Sequence, residues 1–130
     1  MLDLNGFKAI NDTLGHAAGD QALRLLAQRL REGLRETDII ARLGGDEFAI
    51  VTMDTDPPPA IDALARRIHQ MVEQPITALA PVGLHLSTSI GWVQFPRDGT
   101  DCDSLLEGAD RAMYRAKRER AGVSDMGATS

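Results

Sequence analysis

The chain has 130 residues, 43% of them hydrophobic and 25% charged, which is ordinary for one globular domain with its own core. Its net charge of −5 argues against a protein that binds the backbone of nucleic acids. No apolar run approaches a membrane span, no signal peptide is visible, and Cys102 is the only cysteine, so we expect a reduced, cytoplasmic setting without direct membrane contact.

The first quarter of the chain is predicted to form a strand, a helical turn and a long helix. Met1-Leu2-Asp3-Leu4 has the composition of a strand end, and residues 6–13 form the helical turn. A polar loop at 13–16 then leads into an amphipathic helix over residues 20–33. One face of that helix carries Leu23, Leu26, Ala27, Leu30 and Leu34. Asp20 is expected at its N-terminus, where exposed N–H groups favour a carboxylate.

A β-hairpin is predicted around Leu43-Gly44-Gly45-Asp46-Glu47-Phe48. Residues 38–42 and 49–53 on either side are short, apolar and rich in β-branched residues. Two glycines between such runs favour a tight turn, because glycine accepts positive φ without steric cost. The turn presents two adjacent carboxylates, Asp46 and Glu47, which repel each other unless a cation lies nearby. Two interpretations follow, a divalent metal site and a solvated acidic turn.

The second half of the chain is also predicted to alternate between helices and strands. Residues 54–59 contain three consecutive prolines and are predicted to be a loop, followed by a helix over 60–74. A strand is expected within 84–95, and a last helix over 103–120 has an inward face. That face is formed by Leu105, Leu106, Ala109, Ala112, Met113 and Ala116. The pattern predicts an α/β fold, a mixed central β-sheet flanked by helices, with the Gly-Gly segment on an antiparallel β-hairpin.

Several short motifs together resemble the GGDEF family, the diguanylate cyclase domains, whose fold is similar to that of nucleotidyl cyclases. They match that family in order and spacing from residue 2 to about 118. These motifs are Asp3-Leu4-Asn5-Gly6-Phe7-Lys8, Ile10-Asn11-Asp12, Gly15-His16, Gly19-Asp20 and Arg42-x-Gly44-Gly45-Asp46-Glu47-Phe48. The resemblance implies a GGDEF domain over residues 1–120 and a flexible tail or linker over 121–130.

The resemblance also implies an N-terminal truncation. The family normally has a further helical segment and most of the first strand ahead of the position of Asp3. Because that strand lies in the middle of the family's sheet, we expect a shortened strand to leave its neighbours partly unpaired. The chain is accordingly interpreted as a fragment of a longer protein.

A metal site is expected where the first strand ends. If that end lies beside the hairpin turn, Asp3 comes close to Asp46 and Glu47, and three carboxylates make a hard-oxygen site suited to Mg²⁺. The resemblance implies Mg²⁺ or Mn²⁺ bound by these acids and by the backbone carbonyl of Leu4. It also implies a catalytic role for the signature residues Gly44, Gly45, Asp46 and Glu47. Without the motif, Asp3 is more often a helix cap or a surface acid.

Phosphate-binding residues are expected at both ends of the domain. Gly6, Phe7 and Lys8 open a helical turn whose free N–H groups suit phosphate oxygens; core packing is the alternative for Phe7, and a solvated charge for Lys8. The resemblance implies that Lys117 binds phosphate and that an arginine follows four residues later. Here position 121 is alanine, and Arg120 is the nearest arginine, about 100° away around a helix. Arg120 is expected to reach the phosphates only if the helix has already ended before it.

The resemblance implies guanine contacts from Asn11 and Asp20. The Watson–Crick edge of guanine offers N–H donors that a carboxylate accepts, whereas adenine would leave a buried polar group unpaired. A turn hydrogen bond is the alternative for Asn11, and helix capping for Asp20. Asp12 and His16 are assigned structural roles, with His16 as a catalytic base the lesser alternative.

An inhibitory site for the product is implied by Arg35-x-x-Asp38, just ahead of the hairpin. Arginine binds phosphate or guanine bidentately, and aspartate accepts from a guanine edge. Arg67 in the next helix resembles a secondary arginine of that site. The expected ligand is cyclic di-GMP.

The implied activity is condensation of two GTP molecules to cyclic di-GMP and two pyrophosphates. Each 3′-hydroxyl attacks the α-phosphate of the other GTP, with Glu47 as a candidate proton acceptor, so a homodimer is expected during turnover. Sensor or other signalling domains are expected in the full-length protein. The alternative is a non-catalytic module that binds GTP or cyclic di-GMP, and a phosphodiesterase domain after residue 130 remains a further possibility.

Overall fold

The computed structural model describes residues 1–53, 58–76, 85–119 and 122–125. Strands and helices alternate within them, which confirms the predicted α/β class. In chain order they are β1 (Leu2–Asn5), α1 (Phe7–Leu14), α2 (His16–Gly33), β2 (Ile39–Gly44), β3 (Glu47–Val51), α3 (Pro58–Glu73), β4 (Ser87–Trp92), α4 (Cys102–Glu119) and β5 (Val123–Asp125).

The described strands form one mixed sheet in the order β2-β3-β1-β4-β5. All neighbours are antiparallel except β4 and β5, which are parallel. The central strand β1 has partners on both sides. Leu2 lies opposite both Phe48 of β3 and Ile90 of β4, while Asp3 lies opposite Glu47 and Ser89. Strand β1 therefore joins the hairpin to the rest of the sheet.

The two faces of the sheet are covered by different helices. Leu2, Phe48 and Ile90 point to one face and are buried in the core with side chains of α2 and α3. Because side chains alternate along a strand, Asp3 and Gly91 point to the other face, where α4 packs. Lys117 of α4 is hydrogen-bonded to Asp3 there, so the sheet register puts the site residues under α4.

The connection between α1 and α2 differs from the predicted polar loop. Gly15 alone separates the two helices, with φ 92° and a hydrogen bond from its N–H to the carbonyl of Asn11. A positive φ at glycine lets one helix end and the next begin within a single residue. Since α2 begins at His16, Asp20 lies about one turn inside the helix and is exposed, so its predicted place at the helix N-terminus is wrong.

Three further expectations need correction. Residues 123–125 of the predicted tail form β5, with Val123 buried at 7% exposure. Leu106 of the predicted inward face is 45% exposed, whereas Gly108 is buried. Helix α3 begins at Pro58, inside the predicted proline loop, because proline is tolerated in the first turn of a helix; residues 54–57 lie outside the described part of the chain.

The helices bury only part of their surface. In α2 the buried side chains include Leu23, Leu26 and Leu30, as the spacing predicted. In α4 the buried residues are mostly small, including Ala109 and Ala112, which lets the helix approach the sheet closely. Within the described residues, no helix combines the length and apolar character that a bilayer crossing demands.

Candidate active site

The end of β1 and the hairpin turn meet side by side. The N–H of Leu4 donates a hydrogen bond of 3.0 Å to the carbonyl of Asp46, one step beyond the Asp3–Glu47 pair of the ladder. Asp46 is close enough to Asp3 that the negative charge of Asp3 affects its ionisation. The predicted approach of these two aspartates, 43 residues apart in the chain, is confirmed.

The Gly-Gly turn takes a conformation that favours glycine. Gly44 has φ 151° and Gly45 has φ 49°, in the region that other residues avoid. The β2–β3 register shifts between Arg42 and Gly44, and Arg42 donates from Nε to the carbonyl of Gly45 at 2.9 Å. Arg42 had no predicted role of its own; its position three residues before Gly45 was the available signal.

Asp3 is the most buried acid of the site. Its side chain is 13% exposed and its Oδ2 accepts a hydrogen bond of 2.5 Å from Nζ of Lys117. Its Oδ1 is buried and has no hydrogen-bond partner among the described residues. A buried oxygen without a partner is energetically unfavourable, so this acid is suited to a ligand that the protein itself does not supply.

The charges of the site affect one another. Burial, followed by the negative charge of Asp3, raises the pKa of Asp46 above its usual value of 3.8. The hydrogen bond to Asp3 raises the pKa of Lys117 above 10.5. Asp3 and Asp46 repel each other, and Lys117 is the cation bonded to one of them. An additional positive charge beside the two carboxylates is therefore favourable.

The donor set fits a hard divalent cation, with one correction to the predicted ligands. In the part of the chain that the structure describes, no three His, Cys, Asp or Glu side chains are grouped to hold a metal ion, so the predicted three-carboxylate cluster does not form. Asp3 and Asp46 remain as a pair, and the Oδ1 of Asp3 has no hydrogen-bond partner among the described residues. Mg²⁺ is commonly bound by one or two carboxylates together with substrate phosphates, which this pair satisfies.

The turn from β1 into α1 brings its backbone close to a neighbouring loop. Gly6 has φ 93°, and a Cβ there would lie 2.7 Å from the carbonyl oxygen of His85, so a side chain is excluded. Phe7 packs against the hydrophobic core, in agreement with the alternative given for it, and Lys8 is exposed. The N–H groups that open α1 therefore follow directly after β1, whose buried acid is Asp3.

Asn11 and Asp20 lie on neighbouring helices beside a cleft. The Oδ1 of Asn11 is buried without a hydrogen-bond partner in the described residues, and it would lie 1.8 Å from a Cβ at Gly19. Asp20, the residue after Gly19, lines a cleft of about 430 Å³ together with Phe48 and Arg42. Asp20 thus presents an exposed carboxylate to this cleft, whereas the Oδ1 of Asn11 is packed against Gly19.

The Arg35-x-x-Asp38 segment forms a tightly bonded turn. Asp38 accepts from the N–H of Arg35 at 2.8 Å and from the hydroxyl of Thr52 at 2.7 Å, and its side chain is 2% exposed. These bonds, with that from Thr52 the largest influence, lower the pKa of Asp38 below 3.8. The guanidinium of Arg35 donates to the carbonyl of Met53 at 2.5 Å, so the turn is tied to the end of β3.

Of the remaining residues singled out in the sequence, one lies beside the Arg35 turn and two are exposed. Arg67 of α3 donates to the carbonyl of Gly33 at 2.7 Å, which places it beside the Arg35 turn. Asp12 and His16 are both exposed. Arg120 lies outside the described residues.

Comparison with known proteins shows what this chain is similar to. A family model described as diguanylate cyclase, GGDEF domain, matches residues 1–122. The cyclic di-GMP phosphodiesterase NbdA of Pseudomonas aeruginosa is 40% identical over 116 residues, which is 89% of this chain and 15% of the relative. The diguanylate cyclase TpbB of the same species is 40% identical over 121 residues, 93% of this chain and 28% of the relative. The chain therefore spans well under a third of the length of both.

Solved structures resemble the whole described fold. The crystal structure of the GGDEF domain of TpbB has a TM-score of 0.89 and 37% identity, covering 98% of this chain and 80% of that one. The GGDEF domain of DgcB from Caulobacter crescentus, crystallised with c-di-GMP, has a TM-score of 0.79 and 26% identity, covering 98% and 75%. These values extend the similarity from sequence to three-dimensional structure.

Proposed function

Since the chain belongs to the diguanylate cyclase GGDEF-domain family, we propose that it condenses two GTP molecules into cyclic di-GMP. The 3′-hydroxyl oxygen of each GTP forms a bond to the α-phosphorus of the other. The bond from that phosphorus to the oxygen bridging to the β-phosphate breaks, so two pyrophosphates leave. Each attacking hydroxyl loses one proton, and Glu47, which lines a pocket together with Asp3 and Lys117, is the candidate acceptor.

The observation that carries the proposal is the meeting of Asp3, Asp46 and Lys117. Asp3 has one oxygen on Lys117 and one without a partner, and Asp46 is held beside it by the Leu4–Asp46 hydrogen bond. Asp3, Asp46 and the carbonyl of Leu4 would hold Mg²⁺ or Mn²⁺. A bound cation supplies charge neutralisation on the phosphates and makes the attacking hydroxyl more acidic.

The nucleotide would be oriented by the two helices that follow β1. The N–H groups at the start of α1, with Gly6 allowing close approach, suit the β- and γ-phosphates. Asn11 and Asp20 would accept from the N–H donors on the Watson–Crick edge of guanine. The unpartnered Oδ1 of Asn11 supports this assignment, because guanine offers the hydrogen that this buried oxygen lacks.

Two copies of the domain are needed for the reaction. One chain offers a single Asp3–Asp46 pair, and each GTP must attack the other, so the two bound nucleotides have to meet across two domains. We propose a homodimer in turnover, with its encounter governed by further signalling domains. The greater length of the relatives is consistent with such domains in the full-length protein.

Cyclic di-GMP is proposed as the ligand of a second, inhibitory site at Arg35, Asp38 and Arg67. Arg35 donates to the carbonyl of Met53, just after β3, and Arg67 donates to the carbonyl of Gly33 at the end of α2. These guanidinium groups could turn to phosphate oxygens instead. The crystal structure of DgcB with c-di-GMP supports the ligand class.

The test is conversion of GTP in the presence of Mg²⁺, followed by chromatography of the products. We expect one cyclic di-GMP for every two pyrophosphates from the unmodified chain, and a loss of at least a hundredfold in Asp46→Ala. Glu107→Ala is the matched control, because Glu107 is an exposed acid of α4 without a proposed role in the chemistry. Binding of GTP without either product would instead indicate a non-catalytic module.

A further inference from the structure

The carboxylate of the proposed inhibitory site is closed to solvent. The side chain of Asp38 is 2% exposed, whereas that of Arg35 is 55% exposed, and Arg67, the second arginine of the site, is also exposed. A guanine edge that approaches from solvent can therefore reach the arginines but not the acid. Since Asp38 is the acceptor proposed for the N–H donors of guanine, the site has to open before a ligand can use it.

The hydroxyl of Thr52 holds Asp38 in this closed position. It donates to Oδ1 of Asp38 at 2.7 Å and accepts from Nη2 of Arg35 at 3.2 Å, so it lies between the two groups that the ligand would contact. The other carboxylate oxygen, Oδ2, accepts from the backbone N–H of Arg35 at 2.8 Å. That bond lies within the turn and can persist when a ligand binds, so Oδ1 is the oxygen that has to be released.

Among the described residues, little besides Thr52 holds Oδ1 of Asp38 in place. The pKa of Asp38 is lowered, chiefly by the Thr52 hydroxyl, so the acceptor is ionised at neutral pH and the bond is charge-assisted. The direct ion pair between Arg35 and Asp38 is longer, at 3.6 Å, and involves an exposed arginine, where such pairs contribute little. Arg35 also donates to the carbonyl of Met53 at 2.5 Å, and a phosphate oxygen of the ligand would replace that carbonyl.

We infer that Thr52 sets the affinity of the inhibitory site for cyclic di-GMP, because its hydroxyl competes with the ligand for Oδ1 of Asp38. This inference rests on the proposed function, which supplies cyclic di-GMP as the ligand of Arg35, Asp38 and Arg67. When only a fraction of the molecules is open, the apparent affinity falls in proportion to that fraction. Removing the hydroxyl should enlarge this fraction and tighten binding, even though it makes the fold less stable.

The inference is tested by isothermal titration of cyclic di-GMP into the full chain at pH 7, in EDTA to disfavour binding at the Asp3–Asp46 pair. We expect Thr52→Val to bind about tenfold more tightly than the unmodified chain, as for the loss of one competing charge-assisted hydrogen bond. Thr52→Ala, which also lacks the hydroxyl, should show a similar gain. Thr52→Ser keeps the hydroxyl and should bind like the unmodified chain.

Thr100→Val is the matched control, because it makes the same change at an exposed threonine outside the site, and it should leave binding unchanged. When Asp38→Ala is added to Thr52→Val, the gain should be lost, because no carboxylate is left to be released. A purely structural role of Thr52 predicts the opposite of the main result, since a variant with a less stable site would bind more weakly.

The inference is overturned if Thr52→Val and Thr52→Ala bind cyclic di-GMP no more tightly than the unmodified chain, or if the double variant with Asp38→Ala keeps the gain. Absence of binding in every variant would overturn it as well. Failure of the proposed cyclase activity looks different: GTP is not converted, yet the gain in Thr52→Val is still measured.

Discussion

Asp46 carries a charge that the folded chain disfavours. Its pKa is raised above 3.8 by burial and by Asp3, so the ionised form destabilises the metal-free fold. We expect Asp46→Asn to raise the free energy of unfolding at pH 7 by up to about 1 kcal/mol, while cyclase activity is lost. This gain in stability over the unmodified chain should disappear as the pH falls below 3.8, because Asp46 is then protonated in both the folded and the unfolded state.

Urea unfolding in EDTA at pH 7 and at pH 3.5 checks this expectation. Glu107→Gln serves as the control, since it removes the charge of an exposed acid from the same protein. A less stable Asp46→Asn at pH 7 would contradict the account. A residue that is retained although it destabilises the fold is typical of a functional site.

The ionised form of Asp38 stabilises the fold, in contrast to that of Asp46. Its pKa is lowered, chiefly by the hydroxyl of Thr52, so Asp38 stabilises the fold above pH 3.8 and this contribution is lost as the pH falls through the lowered value. We expect Thr52→Val to reduce the free energy of unfolding by about 1 kcal/mol at pH 7, with a smaller loss at pH 2.5. Thr37→Val, at an exposed neighbouring threonine, is the control; an equal loss at both pH values would be evidence against this role of Thr52.

At the scale of elements, the contact between β4 and α4 depends on one glycine. A Cβ at Gly91 would lie 2.0 Å from the backbone nitrogen of Met113 and 2.3 Å from the carbonyl oxygen of Ala109. Neither backbone atom can move without shifting α4, which carries Lys117. We expect Gly91→Ala to cost about 2–4 kcal/mol of stability in urea unfolding. Gly99→Ala should be nearly neutral, because its Cβ would approach only side chains at 3.3 Å or more.

Most of the helices and strands could be predicted from the sequence, but two features could not. The hairpin was predictable because Gly44 and Gly45 separate two β-forming runs, and the helices because apolar residues recur every three or four positions. The start of α2 was not, since Gly15 can end one helix and begin another only through its own φ. Strand β5 was missed because its three residues are too few for a periodic pattern and depend on pairing with β4.

In the candidate site, some contacts could be predicted from the sequence and others could not. The motifs predicted that Asp3 and Asp46 meet, which requires only that β1 and the hairpin be adjacent. They did not predict the direct bond from Lys117 to Asp3 or that from Thr52 to Asp38. Those contacts depend on where the tertiary fold places α4 and the end of β3, which local sequence does not encode.

At the scale of the whole molecule, the proposed reaction makes activity depend on association. One chain brings one Asp3–Asp46 pair to a reaction that requires two bound GTP molecules. We therefore expect the specific activity to rise in proportion to protein concentration while the chain is mainly monomeric, and to level off once dimers dominate. Initial rates over a hundredfold range of concentration measure this. A specific activity that is constant while sedimentation shows monomers would contradict the two-domain reaction.

We propose that β1 and the hairpin together form a metal-dependent site for a guanine nucleotide. Titration of 3′-deoxy-GTP with and without Mg²⁺, on the unmodified chain and on Asp3→Asn, tests it most directly. We expect binding of 3′-deoxy-GTP to be at least tenfold tighter with Mg²⁺, and this gain to be lost in Asp3→Asn although the variant remains folded. Equal affinity with and without Mg²⁺, or an undiminished Mg²⁺ effect in Asp3→Asn, would contradict it.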